Sequence, residues 1–271
     1  MRSLCRWLRT SAGVAVLIAL IPFVSPAQQK PAPKSEWYFS WGYNTEWYTH
    51  TSIHISQPSL GNDYTFMHVR GVDHRGWDEG LFSEALSIPQ YNYRLGTIFN
   101  EAKGLGFEIN FDHTKFIFAD QYVRIKGVLD NHPVDSAIAF NEQNGFYYFL
   151  NNGANFLLFN VVKRKHLTMN RDEKIKLDLF GKAGIGPVIP HVQNSLFGHP
   201  NDQGFQFGGW NIGLEGTMRA TFFNTVYLEF CNKLDYARYS GLEIYKGKAH
   251  QAFGTYEWIL NLGVSIPGKK R

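Results

Sequence analysis

"GFEINFDHTKF", Gly106 to Phe116, decides how the rest of this chain is read. Every second residue from Phe107 gives Phe107, Ile109, Phe111 and then His113; between them stand Glu108, Asn110, Asp112 and Thr114. Successive side chains of a strand point to opposite faces, so this stretch predicts one strand with an oily face and a charged face. The same period returns downstream. Ile175, Leu177, Leu179, Gly181 and Ala183 alternate with Lys174, Lys176, Asp178 and Lys182. Trp210, Ile212, Leu214, Gly216 and Met218 alternate with Asn211, Gly213, Glu215, Thr217 and Arg219, and a last set runs from Tyr256 through Trp258 to Val264. Less regular versions lie at 37–44, 52–56, 64–72, 91–100, 155–165 and 226–236. From Trp37 onward no window keeps the i, i+3, i+4 spacing of an amphipathic helix for more than about a turn. The expectation is an all-β chain of about ten strands, with eight or twelve as alternatives.

The links between these stretches alternate in length. Those at 100–104, 169–174 and 222–225 are short, whereas those near 73–89, 119–153, 186–206 and 238–250 are long. In an antiparallel up-and-down meander, this puts every tight turn at one end and every long loop at the other, the build of a transmembrane β-barrel. The longest link contains "QYVRIKGVLD", Gln121 to Asp130, and is expected to rise as a hairpin above the membrane.

The chain has 271 residues. It opens with Arg2, Arg6 and Arg9, an apolar run from Ala12 to Val24, and Ser25-Pro26-Ala27. This is the layout of a secretory signal peptide, so residues 1–27 are expected to be removed by cleavage near Ala27. A polar linker (28–36), a barrel (37–266) and a basic tail (267–271) follow. The leader carries three arginines and no acids, so the net charge of +4 falls to +1, and the apparent basic character belongs mostly to the leader. So even a balance lacks the clustered excess of Lys and Arg that nucleic acid demands. Cys231 alone remains after cleavage, so no internal disulfide can form.

Alternation by itself does not separate a membrane barrel from a soluble sandwich. Three features favour the barrel. Aromatics gather near strand ends, as in "EWYFSWGYNTEWY" (36–48) and "TYEWI" (255–259), where Trp and Tyr sit at headgroup level. Glycines recur inside strands, which suits tight curvature. The polar faces also mix signs, with Glu108, Asp112, Asp178, Glu215, Glu229 and Glu257 set against Lys176 and Arg219. An enclosed lumen requires such pairing, since an unpaired buried charge is costly. These eight residues are the expected lumen network and the candidate binding residues.

With "YFSWGYNTEWYTHTSIHI" (38–55), "IPQYNYRLG" (88–96) and "FDHTKF" (111–116), the chain resembles small outer-membrane β-barrel proteins of Gram-negative bacteria. The resemblance is architectural and covers nearly all of the chain after the leader. It implies residence in the outer membrane, contact with outer-membrane lipid, and insertion by the barrel-assembly machinery. Such barrels commonly finish on an aromatic residue, whereas this chain ends "VSIPGKKR" (264–271). No activity is carried over. The expected role is structural or loop-mediated binding, with a narrow channel for small hydrophilic solutes or a lipid-modifying hydrolase as alternatives.

Few residues present themselves for catalysis. Asp112 and His113 are neighbours on one strand and point apart, so they cannot form a dyad. His50 and Ser52 have a His-x-Ser spacing similar to that of an outer-membrane lipid A deacylase family, and i and i+2 on a strand can pair a base with a nucleophile. The residues around them do not match that family. His50, Ser52 and His113 are therefore the only catalytic candidates, and each has a plain structural reading, His50 in a wet loop and His113 at the membrane interface. "DHRGWDEG" (73–80) and "FGHPNDQG" (197–204) lack the regular oxygen ligands of a calcium site and the His and Cys of a zinc site. They are read as solvated loops, with no metal and no cofactor expected.

Overall fold

The computed structural model describes residues 35–74, 90–150, 153–172 and 174–268. The expected leader, most of the linker and most of the basic tail lie outside the described residues, as does most of 73–80. In chain order the first strands are β1 (Glu36–Tyr48), β2 (Thr51–Gln57), β3 (Asn62–Val69), β4 (Gly71–Val72), β5 (Tyr91–Asn100) and β6 (Leu105–His113). Next come β7 (Phe116–Phe118), β8 (Gln121–Leu129), β9 (His132–Phe140), β10 (Tyr147–Leu150), β11 (Phe156–Met169) and β12 (Ile175–Val188). The last are β13 (His191–Leu196), β14 (His199–Phe205), β15 (Gly209–Phe222), β16 (Val226–Ile244) and β17 (Gly247–Pro267).

Eight strands, β1, β5, β6, β11, β12, β15, β16 and β17, pair in that order, and β1 returns to pair with β17. The sheet closes into an antiparallel up-and-down barrel. Of the ten alternating stretches, eight form its wall. The two at 52–56 and 64–72 do not. Ile53, Ile55, Tyr64 and Phe66 alternate as wall residues do, but their apolar side chains pack with Val69 into a dry core above the barrel. Both environments impose a period of two, so the pattern does not distinguish them.

Local chemistry sets the short turns. Gly104, at φ 60°, ends the β5–β6 turn, where Asn100 Oδ1 accepts from the Lys103 backbone N–H at 2.9 Å. Phe223 and Asn224, both left-handed at φ 53° and 60°, are the central residues of the β15–β16 turn, where the Thr225 backbone N–H donates to the Phe222 carbonyl at 3.1 Å, the twist that matches flanking strands. Asn170 Oδ1 accepts from the backbone N–H groups of Lys174 and Ile175, closing the β11–β12 turn.

The outer face is hydrocarbon nearly throughout. Phe107, Ile109, Phe159, Leu179, Leu214, Phe230, Trp258 and Leu260 are all exposed. An exposed apolar band this continuous is rare on a soluble monomer and marks a membrane or interaction surface. It is the lipid-facing surface of a transmembrane barrel. Leu260→Arg, midway along the wall portion of β17, is expected to destabilise the barrel by about 2–4 kcal/mol, the range for a cation near the bilayer midplane. Urea titration of the protein folded into phosphatidylcholine vesicles, followed by tryptophan fluorescence, measures this; a change under about 0.5 kcal/mol, usual for an ordinary surface site, would count against the lipid assignment.

At the opposite end from the turns, the links are not loose loops. The stretches between wall strands contain β2, β3, β4, β7, β8, β9, β10, β13 and β14, and β16 and β17 run on past the wall as a long hairpin turning at Tyr245 and Lys246. β2, β3, β8 and β9 extend the sheet from the upper part of β17, and β14, β13, β10, β7 and β4 form a second sheet. Between them lies a core that includes Phe66, Phe118, Phe140, Tyr148, Val192 and Leu242. The stretch 197–204, expected as a solvated loop, is mostly edge strand β14. The whole assembly is a folded crown.

Candidate functional site

The barrel interior holds a column of ions in three levels. In the middle level Arg94 of β5 meets Glu215 of β15 at 2.6 Å and Glu108 of β6 at 3.2 Å. Lys182 of β12 meets the same two carboxylates, Glu108 at 2.7 Å and Glu215 at 3.1 Å. All four side chains are buried, and their charges cancel. Tyr38 donates its hydroxyl to Glu108 at 2.9 Å, and Asn160 donates its amide at 3.3 Å. The ring of contacts bridges β5 and β6 to β12 and β15, and so crosses the lumen.

Toward the turns, Arg219 pairs with Glu229 at 2.7 Å. Its guanidinium also lies 3.9 Å from the Tyr227 ring centre and 4.3 Å from those of Tyr38 and Phe180. Such planar stacking suits arginine, which is more weakly hydrated than an ammonium. Glu36 accepts from Arg164 at 2.6 Å, and Glu101 also pairs with Arg164. Toward the crown, Lys233 pairs with Asp112 and, at 3.1 Å, with Asp235, while Glu257 stands 3.9 Å away. Asn110 donates to Asp112 at 2.8 Å.

Aromatic rings roof this column. Phe116 stacks on Phe253 with centres 4.8 Å apart, and Tyr48 packs edge-on against both at 5.3 Å. The Tyr48 hydroxyl donates to the Lys115 carbonyl at 2.7 Å, and the Tyr239 hydroxyl to that of Ala154 at 2.9 Å. Higher in the crown, burial pushes the Tyr64 and Tyr148 phenols above the ordinary tyrosine range, as a dry interior requires.

Seven of the eight residues named for the lumen, Glu108, Asp112, Asp178, Glu215, Arg219, Glu229 and Glu257, are buried on the inner face. Lys176 is only half-buried near the turn end and enters no ion pair among the described residues. Asp178 takes His166 as its partner at 2.8 Å. The aromatic clamp of Tyr38, Phe180 and Tyr227 around Arg219 does not follow from alternation alone, because large rings belong by default to the oily face of a strand. A signal was present: Phe180 falls in register with Lys176, Asp178 and Lys182, on the polar side of its strand.

The catalytic candidates are not assembled. His50 is exposed in the link after β1 and Ser52 is exposed on β2, with no hydrogen bond between them; Ser52 Oγ accepts instead from the His68 backbone N–H at 3.5 Å. His113 does point away from Asp112, but it does not stand open at an interface. Its ring is buried, stacked on Tyr91 at 4.7 Å, with Nδ1 bonded to Asn155 Oδ1 at 2.8 Å. Tyr91 is its cross-strand neighbour and covers it. Among the described residues, no group of three or more His, Cys, Asp or Glu is placed to hold a metal ion.

A scan against protein-family models finds no match, and a search of curated proteins finds none. Among solved structures, the chain is similar to the outer membrane protein OprG from Pseudomonas aeruginosa, with 8% identity over 87% of this chain and 97% of that one, at a TM-score of 0.40. It is also similar to Ail, the attachment invasion locus protein of Yersinia pestis, crystallised with the heparin analogue sucrose octasulfate, with 11% identity over 86% and 99% and a TM-score of 0.34. For the Neisserial surface protein NspA, the figures are 10% identity, 88% and 99%, and 0.32. These likenesses are architectural.

Proposed function

We propose that this chain is an integral protein of the Gram-negative outer membrane. Its lumen is closed to solutes, and its role is to display the crown as a rigid surface outside the cell. The observation that carries this reading is the inversion of sides: hydrocarbon groups such as Phe107 and Trp258 face outward while Arg94, Glu108, Lys182 and Glu215 are enclosed together. Only lipid outside and ion pairing inside make that arrangement favourable. The leader at 1–27 would direct export, with cleavage near Ala27 and insertion by the barrel-assembly machinery.

A channel is the weaker alternative, because the middle ring of charges spans the lumen and aromatic rings roof it. An eight-stranded barrel leaves an interior that side chains can fill. The purified protein in planar bilayers is expected to show no discrete conductance steps; sustained unitary steps would restore the channel. Membrane residence is tested by fractionation and by gel migration with and without heating. The protein is expected in the outer-membrane fraction, with a faster-migrating unheated form. Recovery in the soluble periplasmic fraction would overturn the reading.

A further inference from the structure

Glycine inside a strand forfeits packing and needs a reason. On the lumen side the reasons are visible. The space a Cβ would fill is taken by the Tyr38 ring at Gly96, the Tyr227 ring at Gly263, Asn160 at Gly184 and Asp235 at Gly213. Gly181 and Gly216 differ. They face outward and are direct cross-strand partners on β12 and β15, and a Cβ on either would meet nothing within 4 Å. Nothing within the described protein requires these two residues to be glycine.

Their effect is a groove in the hydrocarbon wall. Two adjoining hollows of about 580 and 500 Å³, both wide open on the outer side, share Lys163, Gly181, Gly216 and Asn232. Leu214 and Leu234 line it toward the crown, and Leu179, Met218 and Phe230 line it toward the turns. Two polar features break this surface. On the outward face of β11, Lys163 and Lys165 stand at the groove's edge. Lys163 Nζ donates to the Lys103 carbonyl in the β5–β6 turn at 2.5 Å, which leaves two of its three N–H groups. Asn232 is the second feature. Its Oδ1 accepts from the Tyr256 hydroxyl at 2.7 Å, and the Tyr256 hydroxyl oxygen in turn accepts from Trp258 Nε1–H at 2.7 Å. The Asn232 amide nitrogen has no acceptor among the described residues, and an amide facing hydrocarbon without a partner is costly.

We propose that this groove binds one phospholipid of the periplasmic leaflet, with the phosphate on Lys163 and Lys165 and an acyl chain lying over Gly181 and Gly216 toward Asn232. The apolar floor matches the chain, and the lysines match the anionic headgroup. The site rests on the outer-membrane reading, which sets the short turns at the periplasmic side.

The full chain, reconstituted into nanodiscs of phosphatidylethanolamine with phosphatidylglycerol and then released into detergent, is examined by native mass spectrometry for retained phospholipid. Wild type is expected to keep one. Gly181→Leu/Gly216→Leu has open space for its new side chains and is expected to keep the fold, judged by heat-modifiable migration, while retention falls about tenfold or more. Lys163→Gln/Lys165→Gln is expected to lose lipid similarly. If the double leucine variant does not fold, Gly216→Val carries the same test. Unchanged retention in a folded, groove-filled variant overturns the site. So does a wild-type dimer that the filling converts to monomer, because a second copy then occupies the groove. A chain that inserts but retains no lipid overturns the site alone; one that stays out of the nanodiscs overturns the membrane reading as well.

Discussion

Arg94→Ala is expected to destabilise the folded barrel by about 3–5 kcal/mol, the range for stranding one member of a buried ion pair. Arg94 sits between Glu108 and Glu215, all three buried inside the barrel. Removing it leaves two carboxylates sharing Lys182 alone. Urea unfolding in vesicles, read by tryptophan fluorescence, measures the loss. The double variant Arg94→Met/Glu215→Leu, which removes a cation and an anion together, is expected to recover much of it, because an uncharged packed pair avoids the desolvation penalty. If Arg94→Ala unfolds at the wild-type midpoint, the lumen is wet enough to solvate the stranded acids, and the closed-lumen reading fails.

The second large effect is expected in the crown. Phe118 of β7 stacks face-to-face on Phe140 of β9, with centres 3.7 Å apart, and meets Phe66 of β3 edge-on at 5.9 Å. It therefore ties the smaller sheet to the one that continues from β17. Phe118→Ala is expected to cost the crown about 3–5 kcal/mol, as for other buried phenylalanines truncated in a core. The wall strands do not depend on this contact. The variant should keep its heat-modifiable migration while cleavage by externally added protease increases within 116–150. Loss of both the migration shift and membrane insertion would instead mean that crown and barrel fold as one unit.

Much of this architecture is legible in the residues alone. At 105–113, 175–188 and 209–222 the period of two reports which side chains go in and which go out, because a strand alternates whatever surrounds it. The short turns are equally readable: Asn170 and Gly104 can act through bonds to residues a few positions away. Glu108, Glu215 and Arg219 could be assigned to one face, and sign balance along the strands pointed to an enclosed interior.

Tertiary structure decided what alternation leaves open. The buried registers of β2 and β3 pack against crown rings rather than forming wall, because burial in a dry core and contact with lipid select the same apolar side chains. Which charges meet was also undecided, since Arg94 and Glu215 are 121 residues apart and join only when the ring closes. Phe180 and Tyr227 clamp Arg219 inside the lumen because the closed barrel brings their strands together there, overriding the preference of large rings for the outer wall. The register of β12 against β15 also set the outward Gly181 and Gly216 side by side, turning two unremarkable residues into one groove.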